Sequence, residues 1–330
     1  MEENKALLQV VELKKYFHDS SFNFRGSRTD KTVKAVDGVD LNISEGEIVG
    51  LVGESGCGKS TLGKLILKLL TPTSGKILFN GLDTSKFKRN ETREFRKMVQ
   101  TISQDPFDSL DPRRTIIDSV CESAYANHLL KSKREAIDLC KSLLDSVRLQ
   151  PSDQYLYHHP DQLSGGQRQR VAIARALSVN PKLIVADEIS SMLDVSVRGD
   201  LLNLLLSMRE KYSISILFIT HDLPSAAQIC DRLAVMYLGK IVEIGPCEKV
   251  IQDPSHPYTR ALIAAIPVIG SSFQKLPLVP GSGFTRATDL PNGCRFHPRC
   301  VYQFDRCKIE EPKLLPVSME KKCACFLYGD

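Results

Sequence analysis

Apolar and polar positions along this chain switch between two periods. Ile48–Val52 is a short continuous apolar run, the pattern of a parallel strand buried on both faces. From Thr61 the spacing becomes helical, with Leu62, Leu65, Ile66, Leu69 and Leu70 on one face until Thr71-Pro72 stops it. Leu183–Ala186 and Ser213–Thr220 read as further strands, with the helix Val197–Tyr212 between them. Arg232–Tyr237 and Lys240–Ile244, joined by Leu238-Gly239, predict a hairpin. Upstream, Leu7–Leu13 and Val33–Val39 are β-rich and flank a polar, basic stretch, Asp19–Lys31, that reads as a loop. Residues from about 90 to 160 hold charge and helix formers, as in Ala136–Val147, without an obvious strand. They predict a helical insertion in an α/β core. From about residue 266 Pro and Gly recur and the chain changes character.

Composition narrows the class. At 330 residues there is room for about two domains, taking roughly 150 residues each. With 42% hydrophobic and 25% charged residues, the chain is expected to be globular. A net charge of +5 is too mild for a nucleic-acid binder. Apolar-rich stretches such as Leu65–Leu70 and Ile214–Ile219 fall far short of the roughly 20 residues that span a bilayer. Met1–Lys5 lacks the basic-then-apolar order of a signal peptide, so neither secretion nor a self-made channel is expected. There are ten cysteines, five of them after residue 293.

Gly53-Glu54-Ser55-Gly56-Cys57-Gly58-Lys59-Ser60-Thr61 fits the phosphate-loop pattern, with an apolar strand before it and an amphipathic helix after. Its glycines let backbone N–H groups and the helix N-terminus face phosphate oxygens. Lys59 is expected to reach the β- and γ-phosphates, and the Ser60 hydroxyl to ligate Mg²⁺. The strand Leu183–Ala186 runs into Asp187 and Glu188, which alternation would aim to opposite sides. That suits Asp187 as a Mg²⁺ ligand and Glu188 as the group polarising the attacking water. Ser164-Gly165-Gly166-Gln167 opens another helix, either as a second anion-ready N-terminus or as an ordinary N-cap.

Phosphate loop, Leu-Ser-Gly-Gly-Gln and an apolar strand ending Asp-Glu, in that order, resemble the nucleotide-binding subunit of an ATP-binding cassette (ABC) transporter. The resemblance implies an α/β fold: a P-loop NTPase core of ABC type, with an antiparallel β subdomain and a helical subdomain. It implies a nucleotide-binding domain over 1–265, its helical subdomain at about 90–165, and a small cysteine-containing extension over 266–330. Residue by residue, it implies Phe17, with Tyr16 beside it, on adenine. Gln104 would sense Mg²⁺ and the γ-phosphate, and His221 would act as a switch on the γ-phosphate. Ser191-Met192-Leu193-Asp194 would cross to a partner subunit. Each ATP would be sandwiched between one subunit's phosphate loop and another's Ser164–Gln167 segment, so ATP would close the dimer and hydrolysis would open it.

Gly53–Gly63, Gln104-Asp105-Pro106-Phe107, Ser109-Leu110-Asp111-Pro112-Arg113 and His256-Pro257-Tyr258-Thr259 resemble the oligopeptide/dipeptide import branch, and the likeness runs over nearly the whole chain. Cys57 and Gly63 look more like its F-type ATPase than its D-type. The branch also includes nickel and oligosaccharide importers. The resemblance implies two permease subunits, a second related ATPase and, indirectly, an external solute-binding protein, with this chain peripheral at the cytoplasmic membrane face. Ser103, Ile189 and Met192 depart from the usual aromatic, proline and small residue, and none removes a catalytic group. The competing reading is a soluble ABC-type ATPase acting on nucleic acid, which a single cassette and the mild charge disfavour.

The late cysteines leave three readings. Disulfides do not suit a reducing cytosol, and zinc favours tighter pairs than these spacings give. Four thiolates from Cys294, Cys300, Cys307 and Cys325 would suit a [4Fe–4S] cluster, which the branch resemblance also implies. Cys57, Cys121, Cys140, Cys230 and Cys247 are scattered and read as packing residues.

Overall fold

A computed structural model describes residues 6–22, 28–105, 110–191, 194–266 and 289–329. Its strands are β1 (Ala6–Phe22), β2 (Arg28–Ser44), β3 (Ile48–Val52), β4 (Ser74–Phe79), β5 (Leu82–Asp83) and β6 (Val99–Ile102). They continue with β7 (Leu183–Asp187), β8 (Ser215–Thr220), β9 (Arg232–Tyr237), β10 (Lys240–Pro246), β11 (Leu315–Pro316) and β12 (Lys322–Cys323). The chain divides into two compact units. The first holds Ser44–Ile48 and Lys86–Ile219; the second holds Ala6–Ile43, Val49–Ser85 and the chain from Thr220 onward.

In the first unit β6, β7 and β8 pair in parallel, with Val99 opposite Leu183 and Leu183 opposite Ser215. Every residue of β8 is buried, and so are Leu183–Ala186 of β7, as their continuous apolar runs require. β6 was not foreseen. Only Val99 and Ile102 of its four residues are buried, and it follows the helix Arg89–Met98 without a break. The helices Ile116–Ala126, Lys133–Ser146 and Gly165–Leu177 each begin at a hydroxyl cap: Thr115, Ser132 and Ser164 accept from Asp118, Glu135 and Gln167 amides.

The second unit has a sheet of order β2-β1-β4-β5, with β1, β4 and β5 antiparallel in turn. Of the stretch expected as a loop at Asp19–Lys31, residues 19–22 fall in β1 and 28–31 in β2, and residues 23–27 lie outside the described residues. β3 lies parallel to β9, and β10, β12 and β11 follow antiparallel. The β9–β10 hairpin turns at Leu238 (φ +43°) and Gly239 (φ +86°), both left-handed, as a tight right-twisted hairpin demands. β12 adds a C-terminal strand to the β10 edge. The helix after the phosphate loop covers Lys59–Ile66, stopping short of the expected Leu70. Lys68 turns left-handed (φ +53°), Leu69 N–H closes on the Lys64 carbonyl at 2.9 Å, and Leu69 is left exposed.

Candidate functional site

The second unit carries the phosphate loop between β3 and the helix Lys59–Ile66. Gly53 (φ +156°) and Gly58 (φ +109°) must be glycine: a Cβ would fall 2.1 Å from the Met236 carbonyl oxygen and 2.0 Å from that of Ala35. The close approach of β9 and β2 to the loop thus fixes its curl. Gly58 caps the helix without a side-chain hydrogen bond, and a helix N-terminus of this kind suits an anion. Lys59 is buried, and its ammonium donates to the carbonyls of Gly53 (2.7 Å) and Glu54 (3.0 Å). A buried cation held on the loop's own carbonyls, beside a helix N-terminus, is a donor set suited to a polyphosphate. Ser55 and Gly56 are exposed at the loop's outer turn, while Ser60 and Thr61 are half-buried in the first helical turn. Cys57 is buried, its carbonyl accepting from Gly239 N–H at 2.8 Å. Burial pushes its thiol up, against the opposing pull of Lys59.

The same unit holds Tyr16, Phe17 and His221. Phe17 is 40% exposed, with Lys15 Nζ over its ring at 5.1 Å from the centroid. Tyr16 is committed elsewhere: its hydroxyl donates to the Asp37 carboxylate, and burial together with that bond raises its pKa to about 12. His221 lies exposed just after β8, ahead of the helix Leu223–Ile229 that Asp222 caps.

The first unit holds the remaining residues. Ser164 forms a capping box: its Oγ accepts from Gln167 N–H at 3.3 Å, and Gln167 Oε1 accepts from Ser164 N–H at 2.9 Å. Ser164 thus caps its own helix. A Cβ on Gly165 would meet nothing within 4 Å, so the helix start is open on that side. β7 ends at Asp187, and Glu188 takes φ +50°, so strand alternation does not govern its direction. A left-handed glutamate is strained backbone, which surrounding structure must hold. Glu188 N–H donates to the Ile219 carbonyl (2.8 Å), and its carbonyl accepts from Ser191 Oγ (2.7 Å). Gln104 is exposed after β6, and Asp194 is exposed at the start of the helix Val195–Tyr212. Ser60, Gln104 and Asp187 offer hydroxyl, amide and carboxylate oxygens, the hard donors that Mg²⁺ prefers. Pro106–Ser109, Met192 and Leu193 lie outside the described residues.

Residues 36–191 match the ABC transporter family, and residues 242–307 match the oligopeptide/dipeptide transporter C-terminal region. The chain is 41% identical to a probable peptide ABC transporter ATP-binding protein, y4tS, of Sinorhizobium fredii, covering 98% of this chain and 90% of that one. It is 40% identical to the oligopeptide transport ATP-binding protein AppF of Bacillus subtilis, over 98% of both chains. The chain belongs to the ABC transporter ATP-binding proteins. The Salmonella typhimurium protein OppF, an oligopeptide transport ATP-binding protein, is also 40% identical, over 95% of this chain and 94% of its own. Among solved structures, the ATP-binding cassette MJ0796, a dimer in a post-hydrolysis state with ADP and Pi, matches with TM-score 0.63. It is 28% identical and covers 73% of this chain and 98% of its own.

For this ABC subunit the iron–sulfur expectation is overturned. Among the described residues no group of three or more His, Cys, Asp or Glu side chains is placed to hold a metal ion. Cys294, Cys300, Cys307 and Cys325 border a cavity of only about 20 Å³, room for about one water. Burial raises the thiols of Cys294 (to about 11), Cys300 and Cys325. All ten cysteines are free thiols.

Sequence reasoning missed three residues that touch the phosphate loop and its surroundings. Tyr258 Oη accepts from Glu54 N–H at 2.8 Å. Arg299 donates twice to the Glu54 carboxylate, at 2.8 and 2.9 Å. Arg295, buried, donates to Asp37, the same carboxylate that Tyr16 engages. Tyr258 was visible within the branch motif, but nothing in the sequence names Glu54 as its partner.

Proposed function

We propose that this chain is the ATP-binding and ATP-hydrolysing subunit of a multi-subunit ABC importer for oligopeptides or dipeptides. The observation that carries this reading is one chain holding both a phosphate loop with a buried, loop-bonded Lys59 and an oligopeptide/dipeptide transporter C-terminal region. The names of its relatives support peptides over nickel or oligosaccharides.

The residue roles follow from their chemistry. Lys59 and the amides of Gly53, Ser55, Gly56, Cys57, Gly58, Ser60 and Thr61 bind the phosphates, and Phe17 stacks on adenine while Tyr16 flanks it. Ser60, Gln104 and Asp187 would hold Mg²⁺, which when bound would supply positive charge against the phosphates. Glu188 accepts a proton from the attacking water, and His221 donates a hydrogen bond to the γ-phosphate. Ser164, Gly165, Gly166 and Gln167 face the ATP of a partner ATPase, and Asp194 lies in the loop crossing to it. We assign residues 1–265 to the nucleotide-binding domain, with its helical part at about 90–165, and 266–330 to the C-terminal extension. The partner ATPase is a related, unlike chain, with this one the F-type member. Two permeases supply the pore, an external solute-binding protein supplies the peptide, and the chain sits on the cytoplasmic membrane face.

Glu188→Gln tests the mechanism. Hydrolysis should fall about a hundred-fold or more for loss of a general base, and ATP should trap a dimer in size-exclusion chromatography. Hydrolysis at the wild-type rate would contradict it.

A further inference from the structure

The C-terminal segment Cys294–Cys300 sends two arginines, four residues apart, to different parts of the second unit. Arg295 is the anchor. It is 7% exposed and donates to the Asp37 carboxylate and the Leu238 carbonyl. Phe296 packs edge-on against Tyr237 (5.4 Å between centroids) and at a tilt against Tyr258 (5.5 Å), which locks the segment to β9 and to the helix Pro257–Ala264. The 3₁₀ turn His297–Arg299 then aims Arg299 at the phosphate loop.

There its two terminal nitrogens meet the two carboxylate oxygens of Glu54, at 2.8 and 2.9 Å, in a bidentate pair. The guanidinium also lies 5.8 Å from the Tyr237 centroid and 5.7 Å from that of Phe296, so its position is set from behind. Glu54 follows Gly53 directly, inside the loop whose amides and Lys59 gather an anion. An unpaired carboxylate at that place repels a triphosphate. We infer that Arg299 is a positioning residue for ATP binding: it neutralises Glu54 and holds it aside, so that the C-terminal extension sets the nucleotide affinity of the phosphate loop. The inference rests on the loop being the ATP site, as proposed above.

Calorimetric titration of the full-length chain with MgATP, in a Glu188→Gln background, tests it. Arg299→Gln should weaken ATP binding about ten-fold, and Arg299→Lys, which keeps the cation, should stay within about three-fold of the parent. The double variant Arg299→Gln/Glu54→Gln removes both charges and should recover to within about three-fold of the parent. The Arg299→Gln defect should also shrink as salt rises from low to near-molar concentration. A purely structural tether predicts the opposite for the double variant, which would bind as weakly as Arg299→Gln. That result, or unchanged affinity in Arg299→Gln, overturns the inference. A parent chain that fails to bind ATP would instead overturn the ATPase reading.

Discussion

His256 shows how much a single residue here carries. It caps the helix Pro257–Ala264, its Nδ1 accepting from Tyr258 N–H at 3.0 Å, and it is 1% exposed. Burial, aided by the charge of Arg260, lowers its pKa from 6.5 to about 3, against a hydrogen bond to the Ala324 backbone. Below pH 6.5 the unfolded chain therefore takes up a proton that the folded chain refuses. Stability contributed by neutral His256 is complete above pH 6.5 and drains away as pH falls toward 3, with a slope approaching about 1.4 kcal/mol per pH unit. Urea unfolding of wild type and His256→Asn across this window checks it, since Asn keeps a cap without titrating. The variant's curve should be flatter below pH 6.5; parallel curves would refute the assignment. At this scale the phosphate loop was legible because its residues are neighbours in sequence. Glu54 and Arg299 are 245 positions apart, so no local pattern could pair them. The late cysteines show the reverse hazard, for spacing suggested a ligand set that the folded side chains do not form.

Among the elements, β10 deserves a direct test because its edge receives the C-terminal strand β12. Its pairing with β9 slips between Ile241 and Glu243, a bulge that interrupts the alternation of side chains. Glu243 is 0% exposed, and its carboxylate accepts from the amides of Ser255 (2.7 Å) and His256 (2.9 Å). Lys321, also buried, lies 3.9 Å away. Glu243→Ala strands two buried amides, while Lys321 keeps Asp253 as its partner at 3.3 Å, and should cost about 2 kcal/mol in chemical denaturation; a loss under about 1 kcal/mol would show the network to be dispensable. Continuous apolar runs gave away β3, β7 and β8, since both faces of each are covered. β6 stayed hidden because a four-residue strand with two half-buried polar positions has no distinctive period. The early stop of the helix Lys59–Ile66 was equally invisible, because it depends on Lys68, a residue without turn preference, whose ammonium donates to the Thr84 carbonyl at 2.6 Å.

At the scale of the whole molecule, each unit is built around a different half of the chemistry. The phosphate loop, Phe17 and His221 belong to one unit; Gln104, the Ser164–Gln167 segment, Asp187 and Glu188 belong to the other. Among the described residues no helix is long and apolar enough to cross a membrane, and in the function proposed above the pore belongs to permeases that this chain energises. The order of motifs made that role readable, because phosphate chemistry needs fixed local geometry. The decisive measurement is ATP-driven uptake of a labelled oligopeptide into vesicles containing this chain, its partner ATPase, the permeases and the solute-binding protein. The account predicts accumulation that requires MgATP and disappears with Glu188→Gln in this chain. Uptake indifferent to ATP, or assembly of the permeases without this chain bound, would contradict it.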